Sequence, residues 1–365
     1  MNASVPNLPL IIGEGRPTGT GWMDVVSPHD EAVIARVAGA GRAAVDAGVA
    51  TARAALPGWA GTPPLERAAA FGAVTRAMDG AAAELADLMH REMGKHRTEA
   101  RAEVDRACEV VHHFAAEAER LWVTQLPGAD LTTGSHIRPA PIGVVAAITP
   151  WNFPVALVIW KLAPALAAGC CVIVKPAQEA PLAARRVCEL ALGAGIPPAV
   201  VVCLTGDGPP LGEALATHPG IDKVAFTGSR RVAELIAGWA APRLKALSLE
   251  LGGHGPLVVL PDADLDTVAE VAAIQGYANA GQACYSINRV IVPRALAGAV
   301  TERLRARIAD LALAPMATTR GAERHRMLIA DARAHGGTVE GGEDLGGRRF
   351  APALITGAGP GVRVV

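Results

Sequence analysis

Between Ala38 and Leu121 apolar residues recur at three- and four-residue spacing, in AAVDAGVATARAAL, then PLERAAAFGAVTRAMDGAAAELADLMHREMGK, then TEARAEVDRACEVVHHFAAEAERL. That period keeps one stripe of a helix dry, so three helices are predicted. Pro63 and Pro64 stand at the start of the second, where proline sacrifices no hydrogen bond. A polar, strand-like connection runs from Gly128 to Arg138. Beyond it short runs of Val, Ile and Leu alternate with helical segments: IGVVAAITP, VALVIWKLAPALAAG, CVIVKPA, PLAARRVCELALGAG, VVVCLTG, PPLGEALATHPG, KVAFTGS, RRVAELIAGWA and ALSLELGG. Five strands separated by four helices predict an α/β fold with a doubly wound, Rossmann-like parallel sheet, whose ligands lie beyond the carboxyl ends of the strands. From Gly255 a second alternation begins: PLVVLPDADLD, a helix to about Ala280, a loop carrying Cys284, SINRVIVPR, and a helix from Ala297 to Leu311. It predicts a second α/β domain.

Length and composition narrow the partner. A chain of 365 residues exceeds what one core usually serves, so two domains are expected. Hydrophobic residues reach 51% with only 4% aromatics, which points to helices packed through alanine. The net charge is -1 and the charges are interspersed, leaving no footprint for nucleic acid or an anionic membrane. A small molecule is the expected partner. Cys108, Cys170, Cys171, Cys188, Cys203 and Cys284 form no CxxC pair and no metal-ligand spacing, so a reduced, cytoplasmic protein without a metal is expected. The opening MNASVPNLPLIIGEG lacks the features of a secretory signal. The apolar stretch from Val155 to Val174 holds Lys161, Pro164 and Gly169, and reads as a buried helix feeding a buried strand, not a membrane span. His90, His96, His112 and His113 read as surface or packed side chains.

Candidate chemistry gathers just after the strands. In TPWNFP (Thr149 to Pro154) two prolines stiffen a turn whose Asn152 amide could donate to a developing oxyanion, or simply cap the next helix. Lys175, ending the second strand, and Gln178 could meet a nucleotide ribose or its 2'-phosphate; the alternative is a snorkelling surface lysine. TGDGPPLG misses the GxGxxG spacing and reads as a plain glycine loop. Gly228 and Ser229 in AFTGSRR would set backbone N-H groups at a helix start, a cradle for pyrophosphate, or a capping serine alone. Glu250 closes the apolar run LSLELGG, where a buried carboxylate would be costly unless paired or used as a base. In YANAGQACYSINR the thiol of Cys284 sits among small and polar residues, not in the apolar core that free cysteines prefer. It is either a reactive thiol or a small residue at a turn.

The order TPWNFP, KPAQEAP, FTGS, LELGG and NAGQAC closely resembles the aldehyde dehydrogenase superfamily. ERAAAF and EMGKHRTEARAEV upstream, with SINRVIV and FAPALI downstream, extend the likeness over nearly the whole chain from about residue 10. The resemblance implies that residues 142–251 bind the dinucleotide and 252–365 form the catalytic domain, that 1–127 are the helical part of the cofactor domain, and that 128–141 are an oligomerisation connection. It also implies that Cys284 attacks an aldehyde carbonyl, that the Asn152 amide and a backbone N-H hold the oxyanion, and that hydride leaves for NAD, with NADP possible. Glu250 then activates water to hydrolyse the thioester. Lys175 and Gln178 would hold the adenosine ribose, Pro176 and Ala177 between them would also be cofactor-binding, Gly228 and Ser229 would lie by the pyrophosphate, and Trp151 and Leu251 would line the cofactor path. Gly281 and Ala283 would leave room around the sulfur.

Three departures qualify this. Gln178, followed by Glu179, stands where NAD-preferring members carry Glu, and Ala233 replaces a usual glycine. The EEIFGP segment, PFGG loop and oligomerisation tail of the family are not in this sequence, so a C-terminally truncated chain with an incomplete catalytic domain and a weakened homo-oligomer contact is expected. Two other functions compete: a CoA-acylating relative, which generally lacks the glutamate, and a non-catalytic paralogue or fragment that binds dinucleotide.

Overall fold

The computed structural model describes residues 5–364 except 129 and 131. The chain divides into two compact units. The first comprises residues up to 25, 33–89 and 100–250; the second comprises 26–32, 90–99 and 251 onward.

The chain opens with strands where only helices were predicted before residue 127. β1 (Asn7–Leu8), β2 (Trp22–Val26) and β3 (Val33–Ala38) form a sheet in the order β1-β3-β2. Val25 and Val37 bury while Asp24 and Arg36 face out and pair at 2.8 Å, an alternation too short to stand out beside long helices. Next come α1 (Arg42–Gly61), α2 (Pro64–Gly80), α3 (Ala82–Met93) and α4 (Arg97–Glu119). The long helix predicted from Pro64 is thus two. At Ala81 the backbone turns to φ -101° and ψ 10°, just after Gly80, a weak helix former. β4 (Thr124–Pro127) and β5 (Gly134–Ile137) pair antiparallel and are exposed throughout.

The five predicted strands form the main sheet. In chain order it comprises β6 (Val144–Ile148), α5 (Ala156–Ala167), β7 (Cys171–Lys175), α6 (Leu182–Gly193), β8 (Val201–Cys203), α7 (Gly208–Thr217), β9 (Lys223–Gly228), α8 (Arg230–Ala240) and β10 (Ala246–Leu251). The strand order is β10-β9-β6-β7-β8, and the pairs β6·β7, β6·β9 and β7·β8 are parallel. Ala246 N-H donates to the Asp222 carbonyl at 3.1 Å, so β10 begins beside the start of β9. The chain builds outward from β6 on one side, then returns to its other side. That reversal opens a crevice at the carboxyl ends of the strands, where ligands bind in doubly wound sheets. Every residue of β6 and β7 is buried, as a parallel strand covered on both faces requires.

The second unit is a smaller α/β assembly. Its elements are β11 (Gly255–Val258), α9 (Leu265–Tyr277), β12 (Ile287–Ile291), α10 (Arg294–Ile308), α11 (Thr319–Ala334), β13 (Thr338–Gly341) and β14 (Ala353–Thr356). β11 and β12 are parallel with α9 as the crossover, and β13 pairs antiparallel with β14. Asp264 caps α9, accepting from the Asp266 and Thr267 N-H groups at 3.3 Å each. Ala269, Ala272 and Ala273 of α9 meet Leu304 and Ile308 of α10, with Leu257 and Val290 packed against them. Small side chains on one helix let the larger ones of the other approach. Helix α9 stops at Tyr277, short of the predicted Ala280, because the next residues leave helical geometry.

Candidate active site

In the first unit, several predicted residues lie at the carboxyl ends of neighbouring strands. Beyond β6, Thr149 N-H donates to the Lys175 carbonyl at 3.0 Å, and the buried Thr149 hydroxyl has no hydrogen-bond partner among the described residues. Lys175 at the end of β7 is only 4% exposed, so it is no snorkelling surface lysine. Its Nζ donates to the Pro176 carbonyl at 3.2 Å. Burial pulls its pKa down to about 8, against the attraction of the Glu179 and Asp207 carboxylates. Pro176 and Ala177 are buried, whereas Gln178 is exposed. The Gln178 Oε1 accepts from Gly208 N-H at 3.3 Å and so ties the KPAQ turn to the start of α7.

At the end of β9, a Cβ on Gly228 would lie 2.4 Å from the Phe226 ring, so only glycine fits there. Ser229 caps α8, its hydroxyl accepting from Val232 N-H at 3.4 Å. The first N-H groups of α8 remain at the helix mouth, where an anion is favoured. A buried ammonium, an acceptor-poor helix start and a buried unpaired hydroxyl at one sheet edge are a donor set that fits a dinucleotide.

Asn152 and Trp151 are half-buried in the turn after β6. Asn152 does not cap α5. That helix begins at Ala156, and the Val155 and Ala156 N-H groups both donate to Glu103 Oε1, at 2.9 and 3.0 Å. Glu103 reaches in from α4, a role invisible in a sequence where it looks like one more polar position on a helix.

Glu250 also differs from its sequence reading. Its apolar run suggested a buried carboxylate, yet Glu250 and Leu251 are exposed, because β10 is the edge strand and its last two residues emerge from the sheet. Its charge bears on Lys161, which the sequence used only to argue against a membrane span. Lys161 is buried in α5 with its Nζ donating to Thr227 Oγ1 at 2.6 Å. Burial lowers its pKa to about 8, and the Glu250 charge opposes that shift. A lysine inside an apolar helix run was the available signal.

In the second unit, Cys284 lies in the loop before β12. Of six free cysteines it alone is exposed; Cys108 is half-buried and the other four are buried. The loop is built on a tight turn, with Asn279, Ala280 and Gly281 at φ +50°, +56° and +74°. Ser286 fastens the far side, its hydroxyl donating to the Gln275 and Gly276 carbonyls at 3.0 and 3.1 Å. The thiol is therefore accessible, on constrained backbone, and is not packed into a core.

A parallel sheet with a dinucleotide-fitting edge, and a second unit presenting one exposed thiol, define an oxidoreductase-like arrangement. The aldehyde dehydrogenase family model matches residues 16–365. The chain is 34% identical over 360 residues to the succinate-semialdehyde dehydrogenase (NADP(+)) GabD of Escherichia coli, covering 95% of this chain and 75% of that one. It is 35% identical over 353 residues to a glutarate-semialdehyde dehydrogenase of Pseudomonas putida, covering 92% of this chain and 74% of the relative. The crystal structure of an NAD-dependent aldehyde dehydrogenase from Sinorhizobium meliloti superposes with a TM-score of 0.95 at 31% identity, over 98% of this chain and 75% of that one. The chain belongs to the aldehyde dehydrogenase family. Among the described residues no helix is long and apolar enough to cross a membrane.

Proposed function

We propose that this chain oxidises an aldehyde to a carboxylate with NAD(P)+ through Cys284, and that semialdehydes, whose far end is a carboxylate, are its substrate class. The observation that carries the reading is the single exposed thiol of Cys284 on its constrained turn. The names of the relatives that act on succinate and glutarate semialdehydes support the substrate class.

Each residue takes a role that follows from its chemistry. The thiolate of Cys284 adds to the aldehyde carbon and makes a thiohemiacetal. The Asn152 amide donates to the oxyanion that forms, together with a backbone N-H at the cysteine. Glu250 accepts a proton from the water that hydrolyses the thioester, and its exposure supports that task because water reaches it. The nicotinamide cofactor supplies the hydride acceptor when bound. Lys175 and Gln178 hold its adenosine ribose, Pro176 and Ala177 shape that turn, Gly228 and Ser229 receive the pyrophosphate, and Trp151 and Leu251 line the path between. Residues 142–251 thus bind the dinucleotide and 252–365 carry the nucleophile. Six free cysteines favour a reducing compartment such as the cytoplasm.

The test is a panel of semialdehydes and simple aldehydes assayed with NAD+ and NADP+ separately. Reduced cofactor should appear with semialdehydes first, and Cys284→Ser should lose roughly 10⁴-fold or more of the rate, as nucleophile removal does. Full activity in that variant would refute the assignment, and a strict CoA requirement would move the chain to the acylating branch.

A further inference from the structure

The turn before Cys284 has a backbone that its own residues do not favour. A left-handed conformation is disfavoured for a residue bearing a Cβ, and two such residues, Asn279 at φ +50° and Ala280 at φ +56°, stand in succession. Asparagine tolerates this better than alanine, and Gly281 at +74° pays nothing. Groups elsewhere must therefore hold the turn in place.

The holding groups are visible, and the first comes from far along the chain. Asn279 N-H donates to Glu99 Oε1 at 2.8 Å. Glu99 sits in the first turn of α4, on a segment (90–99) that belongs to the second unit. Its other carboxylate oxygen is buried with no hydrogen bond among the described residues, so the Asn279 amide is the strong donor this group has met there. Gln282 closes the turn from the other side, its Nε2 donating to the Asn279 carbonyl at 3.0 Å while its Oε1 accepts from Ala317 N-H at 3.0 Å. Arg348 Nη1 in turn donates to the Ala317 carbonyl at 2.9 Å. An amide bonded to a carboxylate is among the stronger hydrogen bonds, and this one is partly shielded from water. Without Glu99 the turn keeps the Gln282 bond to the Asn279 carbonyl but loses the hold on the Asn279 N-H, so Asn279 and Ala280 can relax toward the right-handed region and the segment between them and Ser286, Cys284 included, is re-aimed.

We infer that Glu99 is a positioning residue for the reaction: its carboxylate, fixed on α4, holds Asn279 in the left-handed turn and so sets where the Cys284 sulfur is presented. The inference rests on the reading of Cys284 as the nucleophile. Misplacing a reacting atom by about 1 Å can cost on the order of 100-fold in rate, so the effect of losing the hold is measurable even though Glu99 touches no substrate.

The experiment compares full-length Glu99→Ala, Glu99→Asp, and each combined with Ala280→Gly, with two readouts. In Glu99→Ala, kcat/KM for the aldehyde should fall about 10- to 100-fold while the affinity for NAD+, measured by calorimetry, stays within about twofold. Glycine at 280 adopts the left-handed turn without external help, so Ala280→Gly should recover most of the lost rate. Glu99→Asp, one methylene too short to reach, should behave the same way and serves if the alanine variant does not fold. Independently of turnover, amide hydrogen exchange at Asn279 should be slow in the wild type and about tenfold or more faster in both Glu99 variants. An unchanged kcat/KM with unchanged exchange, or a loss that Ala280→Gly does not recover, overturns the role of Glu99. Failure of the nucleophile reading looks different: Cys284→Ser would be active while the exchange at Asn279 still depended on Glu99.

Discussion

The two units hold their functional side chains by different means. In the first, β6 and β7 are buried at every position, and Lys175 is the last residue of such a strand. In the second, every residue of β11 and β12 is half-buried or exposed, and Cys284 stands in a loop kept in shape by hydrogen bonds. A ligand that must be gripped along its length suits fixed strand ends. The nucleophile proposed at Cys284 would suit a short constrained turn whose accuracy rests on a few polar contacts. The contrast teaches where each site is fragile: the first in its core, the second in its hydrogen bonds.

The largest break in that comparison comes from truncating equivalent apolar side chains in the two units. Ile173 of β7 is fully buried, and Ile173→Ala should destabilise the protein by about 3 kcal/mol through lost burial and a residual cavity. Val258 of β11 is 60% exposed, and Val258→Ala should cost under about 0.5 kcal/mol. Urea unfolding of both variants decides it; equal losses would remove the distinction between the units.

Next in size is a dependence on pH confined to the first unit. Burial brings Lys175 and Lys161 to pKa values of about 8, below their ordinary value of 10.5. Below pH 8 each is charged whether the chain is folded or not, so the penalty for burying the charge is fully present. Between about 8 and 10.5 the folded protein has released these protons and the unfolded chain has not, so their contribution to stability rises with pH across that window. Lys175→Met should remove roughly half of this rise, read as the urea midpoint at several pH values from 7.5 upward. A rise of full size in the variant would show that Lys175 is not buried as described.

The smallest effect sharpens cofactor choice. Gln178 is neutral and already bonded to Gly208 N-H, so it repels a 2'-phosphate weakly. Gln178→Glu should raise the preference for NAD+ over NADP+ by about tenfold, seen in the ratio of kcat/KM values, because a carboxylate would then face the phosphate. No change would place the ribose edge elsewhere.

Much of the first unit was legible in the sequence for a physical reason. Strands buried on both faces read as unbroken apolar runs, so CVIVK and KVAFTG announced themselves, and a doubly wound sheet then dictates that Lys175, Gly228 and Glu250 come to one edge. The exposed thiol was legible too, since its neighbours are small and polar. What stayed hidden depends on tertiary partners. Glu103 and Glu99 look like solvated positions of a charged helix, yet one caps α5 and the other braces the cysteine turn. Glu250 looked buried because its strand is apolar, and only the position of β10 at the sheet edge shows otherwise. The opening sheet was missed because strands of two to six residues give periodicity too few repeats to register.

The most direct measurement is peptide mass spectrometry of Glu250→Gln after incubation with a semialdehyde and NAD+. With hydrolysis impaired, the acyl group should be trapped as a thioester on the peptide containing Cys284, accompanied by about one equivalent of reduced cofactor. Wild-type turnover with that peptide unmodified, or the acyl group found on another residue, would contradict the account.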